Sequence, residues 1–595
     1  LGAGHHHLAL YLAILTCITI FIIALSYNQV IELFPNGGGG YKVANELLGP
    51  SAGVVSGSAL LIDYALTIAI SVVAGVKAIY SLLPSSYQGH AILPMIGVIL
   101  FLMLINVRGM KESIKILLPI FLGFVITHLA IIIYGIAAHG NELPSMLHQT
   151  IKETHSATNN FGIIYLLGML LGAYSLGSGT YTGLEAVSNN VNMLVEPRVK
   201  TGRYTMMYMA ISLSIIAGGI IILYLLWHAT PKPNMTLNAS VFQSILGTST
   251  WGHTGLIILL AFEAGLLFVG ANTGFLGGPS VLSNMGQDDW VPRKFTNLSS
   301  RLVKQNGVIF FGCFAILIII LTQGNVQFLV IFYSINVFIT FTVSLLGLVV
   351  YWWQNRSKQA LWKRRLLLSL LATIVCAIIL CDVIIKQIDN GGWEALLTTT
   401  AMVIVCTLLK RYYKRYEHLK RELDRTLEVS LKEQEKPIRE LDHDAPTAVF
   451  LVKNLGAALH TILWVEKMFP KHFKNYIFIS YGWVDTGSFG SDQALARLQK
   501  NTERVVTYLE RFSQQHNVAT ESLTRFGTSP IEDITEIAGQ VNQEFNNAVF
   551  FASRYVYKED LNITKFLHSE FSLMVQRRLQ NIGTKMLIVP LKLDI

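Results

Sequence analysis

Small and polar residues are concentrated in the middle of one apolar segment, residues 171–191, LGAYSLGSGTYTGLEAVSNNV. The segment carries Gly177, Gly179 and Gly183 among several hydroxyl side chains, and Glu185 follows at once. Glycine favours a helix break, and backbone freed inside lipid must line a cavity or be buried in protein. A carboxylate at that depth is costly and marks a functional site. We therefore expect a discontinuous helix at a polar site; the alternative is a kinked helix whose small residues pack against a neighbour.

A second polar pattern lies in the segment SALLIDYALTIAISVVAG, where Asp63 and Tyr64 are followed by Thr67 and Ser71. Residues four apart share one face of a helix, so Asp63, Thr67 and Ser71 form a stripe. An acid and two hydroxyls along one face can replace the water shell of a small cation, because oxygen ligands suit hard cations. The alternative is one buried aspartate that is hydrogen-bonded to a neighbouring helix.

Other polar side chains within apolar segments are weaker candidates. Tyr333, Ser334 and Asn336 lie in IFYSINVFITFTVS, but tyrosine near a membrane boundary is often only an anchor. Glu263 is a further acid in an apolar segment, and Asp382 is expected to serve packing or to lie near the end of a span.

The composition is typical of a membrane protein. Of 595 residues, 52% are hydrophobic and 14% charged, whereas soluble domains are about a quarter charged. A membrane-spanning helix needs roughly 20 apolar residues. The pattern predicts eleven spans, at about 8–33, 53–83, 91–106, 114–138, 162–191, 204–227, 254–283, 307–323, 326–352, 366–386 and 394–410. All five cysteines lie in these segments, which indicates small hydrophobic side chains rather than disulfides or metal ligands.

Loops rich in lysine and arginine alternate along the chain with loops that contain almost none. The rich loops contain Arg108, Lys111 and Lys115; Arg198, Lys200 and Arg203; Arg293, Lys294, Arg301 and Lys304; and Arg356, Lys358, Lys363, Arg364 and Arg365. The positive-inside rule places these loops, and the tail from Arg411, in the cytoplasm. Residue 1 is then outside without a signal peptide, so we expect one further span upstream. The net charge of +9 reflects this topology rather than nucleic-acid binding.

The tail has a different character. Residues 411–446 are highly charged with alternating signs and predict a helical linker, and residues 447–595 predict a soluble α/β domain. Four apolar runs resemble buried strands, beginning at Ala448, Tyr476, Asn547 and Met586. Helical patterns between them indicate a mostly parallel sheet. Neither GxxxxGK[ST] nor a GxGxxG after a strand occurs, so we expect a regulatory or assembly domain.

Four segments carry a resemblance to a known family: FPNGGGGYKVANELLGPSAGVVSGSALLIDYALTIAISVVAG, TYTGLEAVSNNV, GANTGF and DDWVPRKF. They resemble the amino acid–polyamine–organocation (APC) superfamily, and within it the KimA-type potassium importers of the KUP group. The resemblance implies an all-α multi-pass membrane domain with the LeuT/APC-like inverted-repeat fold, followed by a cytoplasmic α/β domain similar to universal stress proteins. It also implies that the first of twelve spans, a discontinuous helix that supplies half of the ion site, is missing from this chain.

The resemblance also implies a function and a set of site residues. The residues that match the family's ion-binding and proton-coupling positions are Asp63, Tyr64, Thr67, Ser71, Thr182, Glu185 and Tyr333. The implied activity is import of potassium by proton symport across the bacterial inner membrane, with potassium held by the same residues and no cofactor. The implied partners are a second copy of the chain, bound through the cytoplasmic domain, and a regulatory cyclic dinucleotide. Whether Asp63 or Glu185 carries the proton stays open.

Two other functions remain open on the sequence. An amino acid permease of the same superfamily would hold the substrate carboxylate with unwound backbone amides and would need no acidic stripe. A sensor without transport activity would signal through the tail. An enzyme is not expected, because no nucleophile–base set is visible.

The loop charges predict which side of the membrane each loop faces. Single cysteines at 198–203, at 293–304 and in the tail should resist an impermeant thiol reagent added to intact cells. Single cysteines at 145–158 should be labelled, because that loop is expected outside. Labelling of the tail from outside would contradict this topology.

Overall fold

The chain folds into two compact units. The computed structural model describes residues 5–84, 91–177, 181, 183–232, 235–427, 439–489, 492–557 and 571–593. A helical unit comprises Leu1–Met285 and Gln305–Cys406, and an α/β unit comprises Gly286–Lys304 and Thr407–Ile595. The segment that joins two long helices of the helical unit therefore belongs to the α/β unit.

The helical unit is built from long apolar helices. Its helices, some of which extend into the other unit, are α1 Ala9–Leu33, α2 Gly39–Val43, α3 Pro50–Tyr80, α4 Ile92–Arg108, α5 Met110–Ala138, α6 Leu143–Phe161, α7 Ile163–Leu176, α8 Leu184–Asn189, α9 Arg198–Leu226, α10 Leu237–Leu246, α11 Thr250–Gln287, α12 Gln305–Thr322, α13 Val326–Gln354, α14 Trp362–Gln387 and α15 Gly392–Leu427. Within the described residues, nine helices are long and apolar enough to span a membrane, and α4 and α7 are shorter apolar helices.

Two of these helices lie at the centre of the unit. In the most apolar part of α3, 89% of the residues are buried within the protein, and in α13 the share is 67%, against 33% or less in the other seven long helices. A helix buried on all sides is apolar all round, and its rare polar side chains must find partners inside the protein. Helix α3 packs against α12 and α13, so polar residues of α3 face other helices.

The glycine-rich segment near residue 180 is a break between two helices. Helix α7 ends at Leu176 and α8 begins at Leu184, and Gly183 before it has a φ of +90°, a left-handed conformation that glycine adopts readily. A second irregular segment follows α1, where Gly37, Gly38 and Gly39 all have positive φ at the entry to the short helix α2, which begins at Gly39.

The α/β unit contains a doubly wound sheet. Its five strands are β1 Thr447–Val452, β2 Asn475–Trp483, β3 Ala519–Gly527, β4 Ala548–Tyr557 and β5 Met586–Leu593. All neighbours are parallel, in the order β3-β2-β1-β4-β5. The helices are α16 Leu455–Met468, α17 Thr486–Phe489, α18 Asp492–Gln515, α19 Pro530–Glu544 and α20 Phe571–Gln580. Alternate residues of β1 enter the two cores, with Phe450 beside α16 and α18 and Val449 beside α19 and α20.

Strand β3 is absent from the sequence-based expectation. Its sequence, ATESLTRFG, is polar, and most of its residues are only partly buried because β3 is an edge strand. An edge strand pairs on one side only and needs no continuous apolar run. The charged segment after the last span is helical up to Leu427, since α15 continues without interruption, whereas residues 439–446 are not helical.

Candidate functional site

A small cavity lies at the break between α7 and α8. Its volume of about 20 Å³ has room for roughly one water molecule or a bare ion. The helices around it are α3, α8, α11 and α13. Its lining consists of Asp63, Tyr64, Thr67, Tyr181, Gly183, Glu185, Ala186, Thr273, Tyr333, Val337 and Phe341.

Helix α3 supplies an acid and two hydroxyls to this cavity. Asp63, Tyr64 and Thr67 are all buried, with 7%, 4% and 2% of their surface exposed. Oδ1 of Asp63 has no hydrogen-bond partner among the described residues. A buried carboxylate oxygen without a partner is costly, so a cation in the cavity would stabilise this arrangement.

The break supplies the second acid. Glu185 is the second residue of α8, and its carboxylate is buried. Its Oε1 accepts a hydrogen bond of 3.2 Å from the backbone N–H of Gly40. The left-handed turn at Gly183 directs the chain into α8 and so places Glu185 at the cavity. A continuous helix through this segment would carry the carboxylate elsewhere.

The glycine-rich segment at the start of α2 holds α8 in place. The N–H of Gly38 donates to the carbonyl oxygen of Asn189 over 3.2 Å. A β-carbon on Gly39 would overlap Oδ1 of Asn189, and one on Gly40 would overlap Oε1 of Glu185. The backbone can approach α8 this closely only because these residues have no side chain.

Asn189 connects α8 to helix α3. Its side-chain Nδ2 donates to the hydroxyl oxygen of Tyr64, and both residues are buried. The Tyr64 ring also lies against α11, where a β-carbon on Gly277 would be 2.5 Å from the ring. The position of Tyr64 therefore depends on both α8 and α11.

Helices α13 and α11 complete the lining. Tyr333, Val337 and Phe341 are four residues apart and share one face of α13. Thr273 of α11 also lines the cavity, and its hydroxyl donates to the carbonyl oxygen of Gly270 over 2.7 Å. The threonine oxygen keeps lone pairs that can accept or coordinate.

The structure brings together five of the seven residues expected from the sequence: Asp63, Tyr64, Thr67, Glu185 and Tyr333. Ser71 is not part of this lining. It is buried one turn farther along α3, where a β-carbon on Gly270 would be 3.5 Å from its hydroxyl oxygen. Thr182 lies outside the described residues.

Sequence reasoning did not include Tyr181 and Thr273 among the site residues. Tyr181 is 1% exposed and donates a 2.9 Å hydrogen bond to the hydroxyl oxygen of Tyr174, which in turn contacts the hydroxyl of Thr19. The sequence could have indicated Tyr181 as a site residue, because it lies in segment 171–191, where hydroxyl side chains are concentrated. For Thr273 the signal was weaker: one threonine among small residues of an apolar helix.

Two further acids of the apolar helices, Glu263 and Asp382, each have a polar partner, although Oε2 of Glu263 is buried without a hydrogen-bond partner among the described residues. Glu263 accepts a 2.6 Å hydrogen bond from Nδ2 of Asn238. Asp382 pairs with Lys386 over 2.7 Å and accepts a 2.5 Å hydrogen bond from the hydroxyl of Ser175. Neither acid lines the cavity. Asp63 and Glu185 are thus the two carboxylates at this site, and its described lining contains no basic side chain.

Comparison with known proteins is consistent with a transport site. A family model described as "Amino acid permease" matches residues 1–407. The potassium transporter KimA of Bacillus subtilis (strain 168) is 32% identical over 408 residues. The match covers 68% of this chain and 64% of KimA, so the chain spans less than two thirds of that relative.

The close approach at Gly40 predicts a specific sensitivity. Gly40→Ala should destabilise the chain by about 1–3 kcal/mol, because the new methyl group must displace Glu185 and the Ser344 hydroxyl. The measurement is thermal unfolding of the purified protein in detergent. Gly97→Ala is the matched control, since Gly97 is also helical and a β-carbon there meets nothing within 4 Å. Equal unfolding temperatures for the two variants would contradict the packing described for Gly40.

Proposed function

The chain belongs to the amino acid permease family and is a multi-pass membrane protein, and on that premise we propose that it imports potassium ions by proton symport. The observation that carries the proposal is the buried cavity at the helix break, where Asp63 and Glu185 meet three hydroxyl-bearing side chains of α3 and α13. The relative KimA is named a potassium transporter, which supports the same substrate here.

The charges at the site support a monovalent cation together with a proton. Two carboxylates buried without a basic neighbour leave up to two negative charges to be balanced. One potassium ion and one proton supply that balance, and the membrane potential favours entry of each positive charge by about 2.3 kcal/mol per 100 mV. Hydroxyl and carboxylate oxygens are ligands that such a hard ion accepts.

Each side chain has a part in this proposal. Asp63, with its unpartnered Oδ1, binds the cation together with the hydroxyls of Thr67, Tyr64 and Tyr333. Glu185 carries the proton: its Oε1 is already engaged by the Gly40 N–H, and protonation of the carboxyl removes its charge while that hydrogen bond can remain. No cofactor takes part.

The fold part of the proposal is an inverted-repeat arrangement of the LeuT/APC type. Broken helices then meet at the middle of the membrane, and one bundle rocks against the other so that the site opens to each side in turn. The break between α7 and α8 beside the cavity supports this arrangement. In the same proposal the membrane is the bacterial inner membrane, and the basic loops and the tail face the cytoplasm.

Transport of an amino acid is the second candidate, since the matching family model carries that description. An amino acid brings its own carboxylate, which would face Asp63 and Glu185 without a basic side chain in the described lining. Like charges in a buried site repel strongly. The cavity therefore favours the cation.

Uptake of rubidium, a potassium surrogate, separates the roles of the acids. Asp63→Asn keeps the volume but loses the charge, so it should weaken cation affinity by tenfold or more, on the order of a few kcal/mol. Glu185→Gln should leave cation binding in place and abolish the dependence of uptake on external pH. The measurement is rubidium uptake against external pH in proteoliposomes.

Glu263→Gln is the matched control for these variants, because Glu263 is an acid of an apolar helix outside the cavity and glutamine can still accept from Asn238. It should transport like the parent. If Asp63→Asn takes up rubidium normally and Glu263→Gln is inactive, the site proposed here lies on the wrong helices. Uptake of labelled amino acids, together with no uptake of rubidium, would favour the amino acid permease function.

The tail is proposed to be a dimerisation and regulatory domain similar to universal stress proteins, as its parallel strand order supports. A regulatory cyclic dinucleotide belongs to the same proposal. Light scattering of the purified chain in detergent should give the mass of a dimer, and residues 1–410 alone should give a monomer. ATP should not bind measurably at micromolar concentrations. A 1–410 dimer, or tight ATP binding by the full chain, would contradict this assignment.

A further inference from the structure

The segment Gly286–Lys304, which includes the last two residues of α11 and leads to α12, packs as part of the α/β unit. We call it the connector. It contains the DDWVPRKF motif, and four of its apolar side chains are buried: Trp290, Val291, Phe295 and Leu298 are 5%, 5%, 7% and 6% exposed. A loop that merely returned the chain from one span to the next would leave such side chains in water.

Arg293 is the centre of the connector's polar contacts. Its guanidinium donates twice to Asp289, from Nε to Oδ1 over 2.6 Å and from Nη2 to Oδ2 over 3.1 Å. Nη1 donates to Oε1 of Glu417 over 2.8 Å, and the guanidinium lies 5.3 Å from the ring centre of Tyr413. Glu417 and Tyr413 belong to α15, so one side chain joins the connector to that helix.

The electrostatics keep this network charged. Burial alone would lower the pKa of Arg293, but the hydrogen bonds and charges of Asp289 and Glu417 outweigh burial and raise it above its ordinary value. For Glu417, burial raises the pKa, while the charge of Lys420 and the contact with Arg293 bring it below its ordinary value. Bidentate arginine–carboxylate contacts of this kind are stronger than single surface ion pairs.

Three further contacts hold the connector. Asn297 forms an isolated antiparallel bridge with Asp485, which follows β2. Just before the connector's buried part, Nε2 of Gln287 donates to Oγ1 of Thr486 over 3.1 Å. The ammonium of Lys410 lies 3.9 Å from the ring centre of Trp290. The connector therefore touches both α15 and the segment at the end of β2.

The two ends of the connector continue directly into membrane helices. Helix α11, which precedes it, places Thr273 in the cavity and packs against the ring of Tyr64. Thr273 is about 20 Å from the end of α11 at a helical rise of 1.5 Å per residue. A displacement of the connector would thus act on one wall of the site through a continuous helix.

We propose that the connector couples the α/β unit to the transport cycle, with Arg293 as its positioning residue. A change in the α/β unit, whatever ligand causes it, would reach the cavity through Asn297, Arg293 and α11. The basic residues of the connector also agree with the positive-inside rule, but that rule requires only charge and no buried carboxylate partner for arginine. This inference rests on the proposed transport function.

The first test separates coupling from site chemistry. Arg293→Met should lower the maximal rate of rubidium uptake by about 2- to 30-fold, the range of coupling effects from residues without ligand contact. The concentration of rubidium at half-maximal rate should change by less than about twofold, since the cavity residues are untouched. Arg525→Met is the matched control, because Arg525 pairs with Glu536 over 2.7 Å away from the connector.

Glu417→Met should also lower the maximal rate of rubidium uptake. The Arg293→Met/Glu417→Met double variant should be no slower than Arg293→Met alone, because the effects of substituting two partners in one network are not additive. Maximal rates equal to those of Arg525→Met would overturn the inference, as would a changed half-saturation with an unchanged maximal rate. If the parent chain takes up no rubidium, the proposed function is wrong. The disulfide test below then shows independently whether the connector packs against the α/β unit.

The first readout of the structural test, disulfide formation, needs no transport. Partners in an antiparallel bridge have Cα atoms about 4.5–5.5 Å apart, within the range that a disulfide spans. Asn297→Cys/Asp485→Cys should therefore form a disulfide on mild oxidation, identified by mass spectrometry as a linked peptide pair. Oxidised protein should still take up rubidium, because the connector moves with the α/β unit. No disulfide, or uptake lost on oxidation and restored by reduction, would overturn the inference.

Discussion

Two carboxylates inside an apolar helical unit impose the central constraint on this protein. Asp63 and Glu185 are buried at one cavity, and the described lining offers them no basic side chain. Burying an ion without compensation costs several kcal/mol, far more than a typical hydrogen bond returns. The surrounding structure must therefore either supply polar partners or receive positive charge from outside, and transport of a cation is one way to supply that charge.

The irregular backbone around the cavity follows from the same constraint. The break between α7 and α8 brings Glu185 to the cavity, and the glycines at the start of α2 let a second backbone segment reach its carboxylate. Freed N–H groups are tolerated here because they find acceptors: Gly40 donates to Glu185, and Gly38 donates to the carbonyl of Asn189. Function and local irregularity thus share one physical cause.

The α/β unit adds a different kind of constraint. Its sheet has apolar cores on both faces, and the connector between α11 and α12 buries aromatic side chains as part of the same unit. Arg293 joins the connector to α15 through carboxylates that neutralise it. This contact could not be predicted from the local sequence, since Arg293 and Glu417 are separated by 124 positions.

Features that depend on local pattern could be predicted from the amino-acid sequence. Long apolar runs predicted eleven spans, and nine of the described helices are long and apolar enough to be one, while α4 and α7 are shorter. The glycines near residue 180 predicted the break, and the spacing of Asp63 and Thr67 predicted their shared face. Four of the five strands were visible as apolar runs, whereas β3 was not, because an edge strand can remain polar.

Which distant segments meet is visible only in the folded protein. It placed Thr273 and Tyr181 in the cavity, left Ser71 outside its lining, and joined Asn189 to Tyr64 across 125 positions. Periodicity and propensity report how each segment meets solvent or lipid, and they carry no information about which partner covers it. The contacts that complete the site depend on helix packing, which the local pattern does not specify.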